Sequence, residues 1–95
     1  MHVISKKKIR DFYSIHADSK HHLLAWHTVV KNSRFENLDE LRKTFPQVDS
    51  VKPFCVFNIG NAYRLIAAVH FNTGKVLIRH VMTHAEYDRG KWKRK

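Results

Sequence analysis

Residues 54–59 read Phe54-Cys55-Val56-Phe57-Asn58-Ile59, and two related runs follow them closely. Tyr63 to Phe71 comes after the turn signal Gly60-Asn61, and Val76 to Met82 comes after Asn72-Thr73-Gly74-Lys75. Each run is short, rich in β-branched and aromatic residues, and bounded by Gly and Asn. That is the pattern of strands joined by tight turns. The three together predict an antiparallel meander.

Upstream of the meander the period changes. Met1 to Ser5 reads as a short opening strand. Lys6 to His16 places Ile9, Phe12, Tyr13 and Ile15 at roughly helical spacing. Asp18 or Ser19 is expected to cap a second helix running toward Asn32, with Leu23, Leu24, Trp26, Val29 and Val30 as its apolar stripe. Asn37-Leu38-Asp39-Glu40-Leu41 opens a third, shorter helix that Pro46 ends. A strand, then helices, then a meander predicts an α+β domain with helices packed on one face of a small antiparallel sheet. With 95 residues the chain reads as a single domain, 1–95.

Charge narrows the partner. There are 18 Lys and Arg against 8 Asp and Glu, a net +10 with neutral histidines. A field this dense on a small body attracts polyanions: RNA, DNA or an acidic protein, with an anionic membrane less favoured. The single cysteine, Cys55, has no partner within the chain, which fits a reducing cytoplasm. Only Val3 and Ile4 precede Lys6-Lys7-Lys8, which suits neither a signal peptide nor a membrane span. The expectation is a soluble cytoplasmic protein that binds no membrane.

The richest segment for chemistry is Thr83-His84-Ala85-Glu86-Tyr87-Asp88. Thr83 and Glu86 have capping-box spacing, so a short helix should start straight after the third meander strand. His84 and Tyr87 are three apart and would share a face near the helix N-terminus, where phosphate is favoured. The plain alternative is a helix cap, with Tyr87 packed on the sheet and His84 in solvent.

Arg64 and Arg79 lie inside apolar strands and must reach an edge, a partner or a concave surface. If Asn72 pairs with Lys75, both point to one face, whereas a one-residue slip separates them. Acidic residues are absent between Asp49 and Glu86, which favours a phosphate partner for the two arginines. Further backbone contacts are expected from Lys6, Lys7 and Lys8, from Lys75, and from the tail residues Arg89, Lys91 and Lys93, with Arg94 and Lys95 beyond. Trp92 sits among these cations, where it either stacks on a base or anchors the tail to the core. His80 and His84 are four apart but lack the cysteine and carboxylate partners of a zinc site, so no metal is expected. Cys55 reads as a small core hydrophobe rather than a nucleophile.

Four stretches carry a resemblance. Val56-Phe57-Asn58-Ile59-Gly60-Asn61, Tyr63-Arg64-Leu65-Ile66, Ile78-Arg79-His80-Val81 and Thr83-His84-Ala85-Glu86-Tyr87-Asp88 together resemble the HigB toxins. Val3-Ile4-Ser5-Lys6-Lys7 and the Ala25-Trp26 pair fit as well, so the likeness spans essentially the whole chain. One departure is that Gly60 stands alone where these toxins usually have two adjacent glycines. HigB toxins belong to the RelE-like group of toxin–antitoxin endoribonucleases.

The resemblance implies a RelE-like fold and metal-independent cleavage of mRNA, typically on the translating ribosome, with no cofactor. It also implies a HigA-type helix-turn-helix antitoxin, through which the toxin–antitoxin complex would bind operator DNA. The family's basic and aromatic site residues would map onto Arg64, Arg79, His84 and Tyr87. Two other classes remain open: a non-enzymatic RNA- or ribosome-binding module, and an inhibitor of a protein target such as a topoisomerase.

Overall fold

The computed structural model describes residues 1–93, and Arg94 and Lys95 lie outside the described residues. The chain begins with β1 (His2–Ile4), α1 (Lys7–Ile15), a 3-10 turn (Ala17–Ser19), α2 (Lys20–Lys31) and α3 (Leu38–Thr44). It continues through β2 (Asp49–Val51), β3 (Phe54–Ile59), β4 (Tyr63–His70), β5 (Lys75–Thr83), α4 (His84–Arg89) and a 3-10 turn (Lys91–Lys93). This is the expected α+β arrangement, with the meander forming the middle of the sheet.

The five strands lie in the order β1-β5-β4-β3-β2. All neighbours are antiparallel except β1, which runs parallel to β5 with Val3 opposite Val76. The sheet is therefore mixed. The long excursion through the helices lets β1 sit at an edge in the parallel sense, which no tight turn could produce. The other edge strand, β2, is a three-residue addition with Ser50 opposite Cys55.

One face of the sheet carries the helices. Ile9 from α1, Leu23, Trp26 and Val30 from α2, and Leu41 from α3 are buried there. They pack with Phe57, Ile59, Leu65, Ala67, Val76 and Ile78. Trp26 meets Phe57 edge-to-face at 5.3 Å between centroids, a geometry worth about 0.5–1.5 kcal/mol beyond simple burial. Leu24 and Val29, expected in the stripe, lie at its margins, and Val29 is exposed. The opposite face is covered only in part, by Trp92 and half-buried Tyr87 over Val56 and Ile66.

Two caps differ from the sequence reading. Ser19 precedes α2, but its hydroxyl donates back to the His16 carbonyl at 2.6 Å instead of capping the helix. Asp18 accepts the Tyr63 hydroxyl at 2.6 Å and so ties the α1–α2 connection to β4. Asn37 does cap α3, accepting from the Glu40 amide at 2.9 Å.

The β4–β5 hairpin decides where the strand arginines point. His70, not Asn72, pairs with Lys75. Residues 71–74 form the loop, and Gly74 supplies its left-handed position at φ 70°. Ala67 then pairs with Ile78, but Ile66 pairs with His80, so Arg79 is a surplus residue with no partner on β4. Such a bulge resets the alternation of faces. Ile78 and Val81 turn toward the helices, while His80 and Met82 turn away.

Candidate nucleic-acid interface

The bulge places consecutive polar residues on the face that the helices leave open. Arg79 reaches over the Phe54 ring, 5.9 Å from its centre, and His80 lies opposite Ile66. Arg64 sits on the same face, two residues from Ile66 and paired with Asn58 and Met82. The two strand arginines therefore share a face.

A groove of about 790 Å³ opens beside Arg79 and His80. Its far wall is the β2–β3 connection, where Val51, Lys52, Pro53 and Phe54 lie, and Trp92 and Lys93 close one side. Among the described residues its lining holds three cations, Lys52, Arg79 and Lys93, and no carboxylate. A groove of that polarity attracts the phosphodiester backbone, and among the described residues of its lining no carboxylate competes for the cations.

His80 lines this groove and two adjoining depressions. Lys8, Asp11, Phe12 and Ile15 of α1 border one of them. Glu86 and Arg89 of α4 border the other. Although exposed at its edge, the imidazole is held below the ordinary histidine pKa, first by lost hydration and then by the charges of Lys8 and Arg79. It is thus neutral at pH 7, with a ring nitrogen able to accept a proton.

Helix α4 begins with the anticipated capping box. The Thr83 hydroxyl accepts from the Glu86 amide at 3.2 Å, and the Glu86 carboxylate accepts from the Thr83 amide at 3.1 Å. The His84 amide donates to the Ala62 carbonyl at 2.8 Å. These partners occupy the helix start, so it is not the open phosphate site that the spacing suggested.

The His84 ring is exposed, with Nδ1 3.0 Å from an Asp88 carboxylate oxygen. Tyr87 instead stacks on Trp92, at 5.3 Å between centroids and 14° between planes. Burial first, then the charges of Asp49 and Asp88 against that of Arg64, raise the Tyr87 pKa, so the phenol keeps its proton at neutral pH. Arg64 donates from one terminal nitrogen to the Tyr63 carbonyl at 2.8 Å and the Asn61 carbonyl at 3.3 Å. Arg64, His84 and Tyr87 therefore belong to the α4 end of the face, whereas Arg79 belongs to the groove.

Comparison with known proteins adds an independent line. Residues 19–90 match the family described as "HigB_toxin, RelE-like toxic component of a toxin-antitoxin system". The chain belongs to the HigB toxin family. It is 36% identical over 92 residues to the mRNA interferase toxin HigB of Escherichia coli K12, covering 93% of this chain and 88% of that protein. The same figures hold for the mRNA interferase HigB of Shigella flexneri. A further mRNA interferase HigB, from Escherichia coli O6:H1, is 30% identical over 93 residues, covering 94% and 90% of the two chains. As a HigB-family toxin, the protein is one half of a toxin–antitoxin pair.

The basic residues expected to meet RNA divide sharply in this HigB-family structure. Lys8, Arg89 and Lys93 border the groove or its adjoining depressions. Lys7 is engaged by Asp11 at 3.1 Å, and Lys6 and Lys7 open onto the α1–α2 side with Tyr13 and Leu24. Lys75 lies at the hairpin end of β5, opposite His70 and His2. The Lys91 side chain lies outside the described residues, as do Arg94 and Lys95.

Trp92 resolves to the anchoring alternative. It is 7% exposed, Tyr87 stacks on its ring, the Lys93 ammonium lies 5.5 Å from its centre, and its indole N–H donates to the Tyr87 carbonyl at 3.2 Å. A ring this buried, with Tyr87 stacked on it, offers little surface for a stacked base. Cys55 is buried, and burial pushes its thiol pKa up, as suits a core residue.

Sequence reasoning passed over His80. Regular alternation from Ile78 would point it into the core, and only the bulge brings it out. The available signal was Arg79-His80 itself, two polar neighbours between Ile78 and Val81 that break a period of two. Lys52 was likewise missed, because nothing local marks the β2–β3 connection as a groove wall.

Proposed function

We propose that this HigB-family toxin is an mRNA endoribonuclease whose RNA lies along the open face of the sheet. The single observation carrying this is the carboxylate-free groove beside Arg79 and His80 on the face the helices leave open. The relatives named mRNA interferase supply the substrate class. Cleavage occurs in the cytoplasm on translated mRNA at the ribosome. The restraining partner is a HigA-type helix-turn-helix antitoxin, through which the complex binds operator DNA.

RNA carries its own nucleophile. Once the 2′-hydroxyl is aligned with the adjacent phosphorus, a protein must remove a proton, hold the added charge and let the 5′-oxygen leave. Arg79 and Arg64 hold phosphates and the developing charge. His84 exchanges protons with the reacting nucleotide. Tyr87, kept protonated, offers a hydroxyl donor beside Arg64. None of these steps calls on a metal, and cleavage should persist in a chelator.

The test is induced expression of wild type and His84→Ala, with primer extension on cellular mRNA. Growth arrest with new mRNA 5′ ends in the wild type alone supports the reading. Arrest without any cleavage rejects it in favour of a non-enzymatic ribosome- or RNA-binding protein.

A further inference from the structure

We infer that His80, rather than His84, accepts the proton from the 2′-hydroxyl during RNA cleavage. This rests on the ribonuclease reading above and goes beyond it by naming the base. His80 is the one histidine that lines the carboxylate-free groove, and it follows Arg79 directly in the strand. A phosphate held by Arg79 therefore brings its neighbouring sugar toward the imidazole. His84 lies beside Asp88 on α4 and is absent from the lining of that groove.

The charges around His80 come from every element near it. Lys8 and Asp11 flank it on α1, with Asp11 already engaged by Lys7 at 3.1 Å. Glu86 and Arg89 flank it on α4, with Glu86 committed to the capping box. Lys52 and Lys93 face it across the groove. The cations outnumber the carboxylates, and both carboxylates have partners. Among the described residues nothing nearby fixes a proton on the ring, which agrees with a histidine held below its ordinary pKa, chiefly by lost hydration.

The step balances without an outside reagent. The 2′-hydroxyl gives its proton to a neutral ring nitrogen of His80 as the 2′-oxygen bonds to phosphorus. The phosphorus–5′-oxygen bond breaks, and the departing 5′-oxygen takes a proton from His84, which recovers one from water. The His80 imidazolium then returns its proton to the hydroxide so formed. The products are a 2′,3′-cyclic phosphate and a 5′-hydroxyl.

The experiment is single-turnover cleavage of a defined mRNA, on programmed ribosomes and free, by wild type, His80→Gln and His80→Ala. The expected result for His80→Gln is a kcat loss of about 10²-fold or more with KM little changed. The wild-type rate should climb with pH through a midpoint below about 6.5, and His80→Gln should lack that limb. Imidazole added to His80→Ala should restore part of the rate, which a merely structural role would not allow. A His80→Gln protein with wild-type kcat, or with the same acid limb, overturns the assignment while leaving the ribonuclease reading intact. A wild-type protein that cuts neither substrate overturns both.

Discussion

The Arg79 guanidinium on β5 lies 5.9 Å from the centre of the Phe54 ring on β3, reaching across β4 to do so. The cation is held over an aromatic face at the edge of the groove, and among the described residues its forked donors have no partner and can meet a phosphate. Such a contact is worth about 0.5–1 kcal/mol at an exposed site, so it positions the side chain without dominating stability.

Arg79→Ala should therefore separate function from folding. We expect cleavage to fall by about 10²–10³-fold, the usual cost of removing one charge stabiliser, with thermal unfolding shifted by only a few degrees. Circular dichroism melts beside the cleavage assay check both halves. Equal activity in the variant would remove Arg79 from the site.

Salt dependence should sort the lysines by position. Log affinity for single-stranded RNA should fall with log salt by about 0.7 per phosphate contacted. Lys8→Ala and Lys93→Ala should each reduce that slope, whereas Lys7→Ala and Lys75→Ala should leave it unchanged. Filter binding of a short RNA over a salt series reads this directly. An equal effect from all four would mean that charge alone, not the groove, holds the RNA.

Trp92 should matter for stability rather than for base recognition. Trp92→Ala removes a 7% exposed ring from the cluster with Val56 and Ile66, at a cost of about 3 kcal/mol or more. Trp92→Phe should restore most of the melting temperature and most of the activity. Activity lost in Trp92→Phe at full stability would point to a direct role for the indole.

Acid should loosen the fold through two histidines. His27 is held below the ordinary value by burial and then by Lys6 and Lys31, and His80 by burial and then by Lys8 and Arg79. The unfolded chain binds protons at these positions more readily than the native one. Their contribution is present above the unfolded value of about 6.5 and is lost as pH falls through the lower native values. Melting temperature should drop between about pH 7 and pH 5, and His27→Gln should shrink that drop.

The sequence disclosed what local chemistry controls. The runs around Phe57, Leu65 and Ile78 specify strands by composition. The Thr83–Glu86 spacing specifies the start of α4, and Asn37 the start of α3. Pairings between distant segments were not legible. Val3 finds Val76, and Ser50 finds Cys55, through three-residue strands too short to carry a pattern of their own. Within the site, Arg64, Arg79, His84 and Tyr87 were visible as residue types. Their separation into a groove and an α4 end was not, because it depends on one surplus residue in β5 and on where Trp92 packs.

That surplus residue has a genetic corollary. Loss of the single codon for Arg79 would iron the bulge into a regular ladder, leave every other side chain on its present face, and delete the groove's central cation. If Arg79 serves the site as proposed, one in-frame deletion gives a disarmed toxin that keeps the rest of its surface. On the proposed role of Arg79, a reversion restoring that codon returns the cation, and three nucleotides separate the two forms.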